Sequence, residues 1–412
     1  MTANDKNKNQ DGRSGALADC RVLELGSTIA APFVGRVFAD FGAEVIKVET
    51  PTGDPLRGIG RHFQGKSLWW ASLHRNKRAV SINMKSPEGR ELVKDLMGKV
   101  DIVVENFRPK SMERWGLGWE DMSALYPALI MVRISGFGQT GPYSDRPGFG
   151  IVGEALSGLR SLIGDPDRPP ARVGIPLTDY ITGLLAVNGA LMALRHRDTT
   201  GEGQYIDAAL YESAFSMMES FVPVYDKLGE VPVRTGAALP GHVPNNLFPT
   251  RDEQHIHIAA GNDSTFRDLA KTMGRPELAE DPSFATGPAR TENQAAAEAA
   301  IESWTRQHDK DALYQLLLDG GVPAAPVYSV ADTFEDPQYR AREIIVSVPD
   351  DEIGEVKMVD AVPRLSASPG RLRWSGRRLG ADTRAVLREY LDLSDSDVDA
   401  LIDKSAVVEA AD

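Results

Sequence analysis

The first 135 residues alternate short apolar strands with helices, and this order constrains the fold more than any other feature. Strands are predicted at residues 21–25, 42–49, 79–83, 100–105 and 129–135, with helices ending near Phe41 and spanning Pro87 to Lys99. A strand–helix–strand order predicts a parallel sheet in an α/β fold. The turn after the first strand lacks a G-x-G-x-x-G pattern, so a nicotinamide or flavin dinucleotide site is weakly supported.

The length of 412 residues exceeds what one hydrophobic core usually supports, so two domains are expected. A segment rich in Pro and Gly, residues 229–246, indicates a crossing between them. Residues 1–15 are polar, which predicts a disordered tail and no secretory signal. We find no apolar run near the roughly 20 residues that span a bilayer, and expect no membrane association.

Charge and cysteine content narrow the function classes. Lys and Arg number 46 against 59 Asp and Glu, a net charge of −13, which argues against a nucleic-acid surface. The single cysteine, Cys20, excludes an internal disulfide and indicates a reducing, cytoplasmic location. His255 and His257 alternate along a predicted strand without nearby ligands, so we predict a structural role for them and no metal site.

Asp179 lies at the N-terminal end of a predicted helix. Pro176 to Thr178 suit a helix start, and residues 180–194 are apolar almost all round, which predicts a buried helix. Free backbone N–H groups and the helix dipole stabilise a carboxylate at this end. Taken alone, the stretch is compatible with a helix cap or a reactive carboxylate, and a cap is the commoner case.

Two further phrases suggest anion recognition. His74, Arg75, Asn76 and Lys77 form a cationic run in an acidic chain, which is typical of phosphate binding or of a solvated surface. Residues 106–108 follow a predicted strand at its carboxyl end, where ligands of open α/β sheets bind. These residues either contact a ligand or only tie the turn.

Several phrases together resemble the class III coenzyme A transferases, a family of formyl-CoA, succinyl-CoA and carnitine-type enzymes. Gly-x-Pro-x-x-Asp-x-x-x-Gly around Asp179, followed by His-Arg and Thr-Gly-x-Gly-Gln at residues 200–204, is similar to the family's nucleophile segment. The phrases at 42–49, 74–78, 105–109, 321–327 and 363–369 are also similar. Arg75 interrupts the second of these, and Lys110 replaces the Gly that usually follows the third. The resemblance extends from Leu17 to about Leu401.

This resemblance implies a Rossmann-like large domain built from both chain ends, plus a smaller central α+β domain. We therefore expect a tail at 1–15, a large domain at 16–225, a small domain at 226–334 and a return to the large domain at 335–412. Family members form homodimers whose chains interlock like links, and we expect the same here.

The family also implies roles for individual residues. Asp179 is the expected nucleophile, and no cofactor is permanently bound, because coenzyme A and acyl-CoA are substrates. The residues expected to bind coenzyme are His74, Arg75, Asn76, Lys77, Asn106, Phe107, Arg108, Arg114 and Arg146.

The expected reaction conserves the activation energy of the thioester, because each intermediate is itself an activated acyl group. Asp179 attacks the acyl-CoA to form a mixed anhydride, and coenzyme A thiolate converts it to an aspartyl-CoA thioester; the acceptor acid then reverses both steps. Formyl-CoA enzymes have a glycine run over the site, and residues 240–246 contain one glycine, so we expect succinyl-CoA and small dicarboxylates. Arg57, Arg61, Arg172 and His242 could hold a second carboxylate.

Two alternatives come from other classes. The related α-methylacyl-CoA racemases have a His where this chain has Phe149, and a phenyl ring cannot exchange a proton. A catalytically silent acyl-CoA-binding protein would keep the cationic phrases without needing Asp179.

Overall fold

A computed structural model of the chain describes residues 14–410. The predicted tail, residues 1–15, lies outside this range except for Ser14 and Gly15. The strands are β1 (Arg21–Glu24), β2 (Glu44–Glu49), β3 (His62–Phe63), β4 (Lys66–Ser67), β5 (Arg78–Ile82), β6 (Ile102–Glu105), β7 (Ile130–Ser135), β8 (Tyr205–Ala209), β9 (Asn245–Pro249), β10 (His255–Ala259), β11 (Ala324–Pro326), β12 (Ile345–Asp350), β13 (Gly354–Val359) and β14 (Val407–Val408).

The helices are named in the same way. They are α1 (Ala30–Asp40), α2 (Leu68–Leu73), α3 (Pro87–Met97), α4 (Ser111–Arg114), α5 (Trp119–Leu125), α6 (Gly150–Leu156), α7 (Leu177–Thr200), α8 (Leu210–Ser216), α9 (Phe221–Leu228), α10 (Asp263–Thr272), α11 (Gly287–Glu292), α12 (Gln294–Thr305), α13 (Lys310–Asp319), α14 (Val330–Glu335), α15 (Pro337–Ala341), α16 (Thr383–Leu391) and α17 (Asp395–Asp403).

The chain divides into two compact units. The first combines Met1–Leu159, Val173–Pro223 and Arg342–Asp412, so it draws on both ends of the chain; the second combines Arg160–Arg172 and Val224–Ala341. We expected residues 160–172 in the large domain, and their contacts group them with the second unit instead. The predicted domain bounds at 226 and 334 stay predictions.

The first unit is organised around a seven-stranded sheet in the order β14-β5-β2-β1-β6-β7-β8. All neighbouring strands in it are parallel except β14, which runs antiparallel to β5. The parallel α/β fold predicted from the sequence is confirmed. The strands are apolar on both sides because helices cover both faces.

The alternation of side chains along β1 shows how the two faces differ. Leu23 belongs to one buried cluster, together with residues of α3 and α16 such as Leu96 and Leu387. Val22 belongs to a second cluster, which includes residues of α1 and α7 such as Val34 and Ala190. Successive residues of a strand point to opposite faces, so each strand contributes to both cores.

The second unit has its own antiparallel sheet, in the order β11-β10-β9. Its core contains Phe248 and Ile256 from the sheet, and Leu269, Trp304 and Leu317 from α10, α12 and α13. The predicted strand beginning at His255 is confirmed as β10.

Helix α7 differs from its prediction. Small residues such as Gly183, Ala186 and Ala190 are buried on the side that packs against α1. Leu184 and Met192, however, are 51% and 71% exposed, so the prediction of burial all round is wrong for this chain. By length and composition α7 is also apolar enough to cross a membrane, contrary to our expectation, although core helices pass the same test.

Candidate active site

The turn after β1 is held by side chains from the loops that follow the two neighbouring strands, β6 and β2. The Asn106 side chain accepts a hydrogen bond from Ser27 N (2.8 Å) and donates one to Ser27 O (2.9 Å). Asp54 accepts from Thr28 N at 3.2 Å. Thr28 has a φ of 70°, which non-glycine residues adopt only when their surroundings impose it. The turn is therefore fixed at the carboxyl edge of the sheet.

The buried ion pair between Lys47 and Asp54 also stabilises this turn. Lys47 Nζ lies 2.9 Å from Asp54 Oδ2 and also donates to Gly26 O. Glu49 accepts from Asp54 N at 3.0 Å and pairs with Arg57 at 2.7 Å. The sequence reasoning missed Lys47 and Asp54. A lysine between apolar residues in the middle of a predicted buried strand was the available indication, because such a charge needs a partner.

Two cavities open along this edge of the first unit. The first, of about 380 Å³, lies at the ends of β1, β2, β5 and β6, and its lining includes Thr50, Thr52, Lys85 and Trp115. The second, of about 150 Å³, lies at the ends of β1, β6, β7 and β8 and is lined in part by Asp179. Ser27 and Phe107 line both cavities. Ligands of parallel α/β sheets bind at this edge.

Asp179 is the third residue of α7, and its carboxylate lies against Gly150, the first residue of α6. A Cβ placed on Gly150 would come within 1.9 Å of Asp179 Oδ2. The N-cap of α7 is Pro176, and no side chain caps this helix, so Asp179 is not the N-cap residue. Burial raises the pKa of Asp179 to about 6. Within residues 14–410 its carboxylate forms no ion pair.

Four of the residues predicted to bind coenzyme line the second cavity with Asp179. They are Asn106, Phe107, Arg108 and Arg146. The loops that contain the two arginines are joined by an ion pair between Lys110 and Asp145 (2.9 Å). The Arg146 guanidinium lies 3.5 Å from the centre of the Tyr143 ring. The structure thus brings these predicted residues together.

The run from His74 to Lys77 is placed differently. All four side chains are at most 2% exposed, so they do not form a solvated surface. Arg75 pairs with Asp40 at 2.7 Å, and Asn76 donates to the same carboxylate at 2.9 Å. Arg75, Asn76 and Lys77 already have hydrogen-bond partners, whereas both ring nitrogens of His74 are buried without one, and none of the four residues lines either cavity. Their predicted contact with coenzyme stays a prediction, and it would require them to leave those partners.

Lys77 and His74 meet a second buried carboxylate. Lys77 Nζ lies 2.7 Å from Glu24, and burial lowers the pKa of Lys77 to about 8. His74 stacks on Trp70 with ring centres 3.7 Å apart, and burial lowers its pKa well below the usual value. The opposing charges of Asp40 and Glu24 explain why a cationic run can lie inside this unit.

The remaining predicted cations are scattered. Arg114 is exposed and donates to Ser111 Oγ at 2.9 Å, next to Trp115 of the first cavity. Arg57 pairs with Glu49 and stacks on Trp70, so it is not free to hold a substrate. Arg61 is exposed and lies outside the lining of both cavities. Arg172 and His242 belong to the second unit.

Two further features bear on the alternatives. Phe149 lines the second cavity and is 74% exposed, so the position of the racemase base holds an apolar ring. His257 Nε2 lies 2.8 Å from Asn245 Oδ1 in the second unit. Within the described range, no group of three or more His, Cys, Asp or Glu side chains is arranged to hold a metal ion.

Comparisons with known proteins agree with this architecture. The chain is 48% identical over 393 residues to succinyl-CoA–D-citramalate CoA-transferase of Chloroflexus aurantiacus, covering 95% of this chain and 98% of that protein. It is 40% identical over 396 residues to the beta subunit of succinyl-CoA–L-malate CoA-transferase of the same organism, covering 95% and 98%. A crystal structure of a CAIB/BAIF family protein from Brucella suis matches with a TM-score of 0.82 and 35% identity, covering 92% of this chain and 100% of that one.

The fold and the site therefore define an α/β enzyme of the CAIB/BAIF type, with a mainly parallel central sheet. The profile of CoA-transferase family III matches residues 17–383. The chain belongs to CoA-transferase family III and is a CoA-transferase. The resemblance drawn from the sequence is confirmed.

Proposed function

We propose that this enzyme moves coenzyme A from succinyl-CoA to a small dicarboxylate, with Asp179 as the covalent nucleophile. The observation that carries the proposal is a half-buried carboxylate without a counter-ion among the described residues, lining a small cavity that shares Ser27 and Phe107 with a larger one. Two relatives are named for succinyl-CoA as donor, which supports the choice of acyl group.

The sizes of the two cavities suggest how the thioester lies. Sites for drug-sized ligands usually measure roughly 300–1,000 Å³. The first cavity, about 380 Å³, is in that range and suits the nucleotide portion, with Lys85 at its rim as a cation for phosphate. The second, about 150 Å³, suits only an acyl group. The pantetheine arm would then pass Ser27 and Phe107.

The chemistry follows from the carboxylate. Asp179 attacks the thioester carbonyl, and collapse of the tetrahedral adduct breaks the C–S bond, giving a succinyl–aspartyl anhydride and coenzyme A thiolate. The thiolate attacks the aspartyl carbonyl and releases succinate, leaving an aspartyl-CoA thioester. The acceptor carboxylate attacks that thioester, and the thiolate then attacks the acceptor carbonyl, which regenerates Asp179. A serine ester would lie too low in energy for the thiolate to reopen.

The surroundings of Asp179 suit this role. With a pKa of about 6, the carboxyl is mostly ionised at pH 7. Burial strips water from the anion, and no described ion pair neutralises it, so its oxygens remain available to attack. Water must also be kept from the anhydride, and a small cavity serves that purpose.

The acceptor is proposed from the relatives and from the charge of the second cavity. D-Citramalate and L-malate, which appear in the names of two relatives, are both 2-hydroxy dicarboxylates. Arg108 and Arg146 make the second cavity cationic, which suits such an acid. We therefore propose a four- or five-carbon dicarboxylate as acceptor. A panel of malate, citramalate, glutarate, mesaconate and butyrate as acceptors tests this, and equal use of butyrate would contradict it.

The covalent step has a direct test. Purified enzyme is incubated with succinyl-CoA, digested with pepsin at low pH and examined by mass spectrometry. The peptide containing Asp179 should gain the mass of coenzyme A less one water. The Asp179→Ala variant should show no adduct and no transfer, while binding coenzyme A within about threefold of the wild type. An adduct on another residue, or transfer by the variant, would contradict the assignment.

The same test separates the alternatives. A racemase-like isomerase would exchange the α-proton of an acyl-CoA with solvent deuterium and leave no adduct. A silent binding protein would do neither. The exposed Phe149 supplies no proton-transfer group at the racemase position, which agrees with transfer and not with isomerisation.

We also propose a homodimer of cytoplasmic location. The exposed side of α7, with Leu184, Leu191 and Met192, is more apolar than a solvated helix surface usually is. The interlocked arrangement of the chains rests on the family resemblance alone. Sedimentation equilibrium should give twice the chain mass, and a monomer at micromolar concentration would contradict the dimer.

A further inference from the structure

We propose that Arg108 is the residue that recognises the second carboxylate of the diacid, both in succinyl-CoA and in the acceptor. This inference rests on the proposed function. It moves Arg108 from the coenzyme-binding set to the part of the site that selects the acid, and it replaces Arg57 and Arg61 as the carboxylate clamp.

The Arg108 side chain has no partner among the described residues, whereas its cationic neighbours are paired. Arg133 pairs with Glu105 and Glu113, at 2.9 and 2.7 Å. Lys110 pairs with Asp145, and Arg114 donates to Ser111. Arg108 forms no side-chain hydrogen bond or ion pair with any residue in the range 14–410.

The loop that contains Arg108 is held in place at both ends. At one end, the Asn106 side chain makes two hydrogen bonds to Ser27, and Glu105 accepts from Phe107 N at 2.8 Å. At the other end, Lys110 has a φ of 67° and reaches Asp145. A free guanidinium on a fixed loop is partly organised for a ligand before that ligand arrives.

The cavity that Arg108 and Asp179 both line limits the length of the acyl group. At about 150 Å³ it has room for a short acyl chain only. When the carbonyl of succinyl-CoA reaches Asp179, the far carboxylate lies only a few bonds away and so stays within the cavity that Arg108 also lines. A guanidinium fits that group through two parallel hydrogen bonds, whereas the methyl end of butyryl-CoA would leave it unpaired.

Arg146 lines the same cavity but is the weaker choice. Its guanidinium lies over the Tyr143 ring, 3.5 Å from the ring centre, so one face is already occupied. We assign it to shaping the loop that leads to α6. We therefore expect the preference for succinyl-CoA over butyryl-CoA to depend on Arg108 and not on Arg146, which makes Arg146 the matched control.

The experiment measures kcat/KM for succinyl-CoA and for butyryl-CoA with one acceptor, in wild type, Arg108→Ala, Arg108→Lys and Arg146→Ala. Binding of coenzyme A itself is measured by calorimetry. In Arg108→Ala the preference for succinyl-CoA should fall at least tenfold, with kcat/KM for butyryl-CoA within threefold of wild type. Lysine should restore part of the preference, because it keeps the charge but not the planar fork. Arg146→Ala should lower kcat/KM for both donors by the same factor and so keep the preference, because Arg146 lines the cavity without pairing with the second carboxylate.

The outcomes separate this inference from the proposed function. If wild type transfers coenzyme A from neither donor, the proposed function fails first. If wild type is active and Arg108→Ala keeps its preference, Arg108 is not the clamp. If both donors weaken equally and coenzyme A binds at least tenfold more weakly, Arg108 contacts coenzyme instead, and the inference is overturned. Loss of preference in Arg146→Ala alone would overturn it as well.

Discussion

Replacing Gly150 by alanine should disable the site while leaving the fold in place. The added Cβ would lie 1.9 Å from Asp179 Oδ2 and 2.8 Å from its Cγ. Carbon–oxygen contacts this short do not occur, so the carboxylate or the start of α6 must move by about 1 Å. A displacement of that size at a reacting group costs on the order of 10²-fold in rate.

The cost in stability should be smaller than the cost in rate. Inserting a methyl group into a packed site destabilises by about 1–3 kcal/mol. Alanine in place of glycine within a helix recovers roughly 0.5–1 kcal/mol. We therefore expect the free energy of unfolding to fall by about 0–2.5 kcal/mol, so Gly150→Ala should purify as a folded protein.

The assay compares kcat for transfer from succinyl-CoA, coenzyme A affinity by calorimetry, and unfolding in urea. Gly58→Ala is the matched control, because a Cβ there meets nothing within 4 Å and Gly58 lines neither cavity. We expect a loss of about a hundredfold in kcat for Gly150→Ala, with coenzyme A bound within about threefold, and no change for the control. A Gly150→Ala enzyme with near wild-type kcat would refute the reasoning that Asp179 must occupy its observed position.

Three further predictions follow from the charges of the first unit. Since the nucleophile must be ionised, kcat/KM should fall tenfold per pH unit below about 6, the pKa of Asp179, and level off above it; a profile flat to pH 5 would contradict this. The native carboxyl takes up its proton near pH 6 and the unfolded one near pH 4, so ionised Asp179 costs stability at pH 7, and Asp179→Asn should raise the free energy of unfolding by up to about 3 kcal/mol. That gain should vanish by about pH 4, and an equal gain at both pH values would point to another cause. Arg114→Ala should weaken coenzyme A binding by about 1–3 kcal/mol. Lys77→Ala should instead lower the free energy of unfolding by about 3–5 kcal/mol, because Glu24 loses one of its cations. Weaker coenzyme A binding in Lys77→Ala with unchanged stability would show that Lys77 contacts the ligand.

The parallel sheet could be predicted from the sequence because its strands are buried on both faces. In β6, Val103 faces one core and Val104 the other, so an uninterrupted apolar run marks the strand. The turn residues that follow, such as Asn106, then fall at the carboxyl edge for topological reasons. The placement of Arg108 at this edge follows from topology, whereas the roles of Asp179 and Arg146 were implied only by the family resemblance.

The burial of the cationic run, residues 74–77, could not be predicted in the same way. Asp40 lies 36 residues before Asn76, and Glu24 lies 53 residues before Lys77. Only the packing of α1 and β1 brings these carboxylates to the run. A local pattern of charges does not show whether its counter-ions belong to a ligand or to the protein.

The exposure of α7 was missed for a related reason. An apolar helix face packs equally well against its own chain or against another one, and periodicity does not distinguish the two. The Gly150–Asp179 contact was also missed, because it joins two helix starts that are far apart in sequence.

The C-terminal strand β14, which pairs with β5 at the edge of the large sheet, has a consequence for the nascent chain. β5 leaves the ribosome about 300 residues before β14 is made, and at roughly 5–20 residues per second this interval lasts about 15–65 s. Throughout it, the outer edge of β5 has no permanent neighbour and offers its backbone groups to any other extended chain. All of the second unit is synthesised within the same interval. The synthesis of β14 therefore decides when the outer edge of β5 is finally covered.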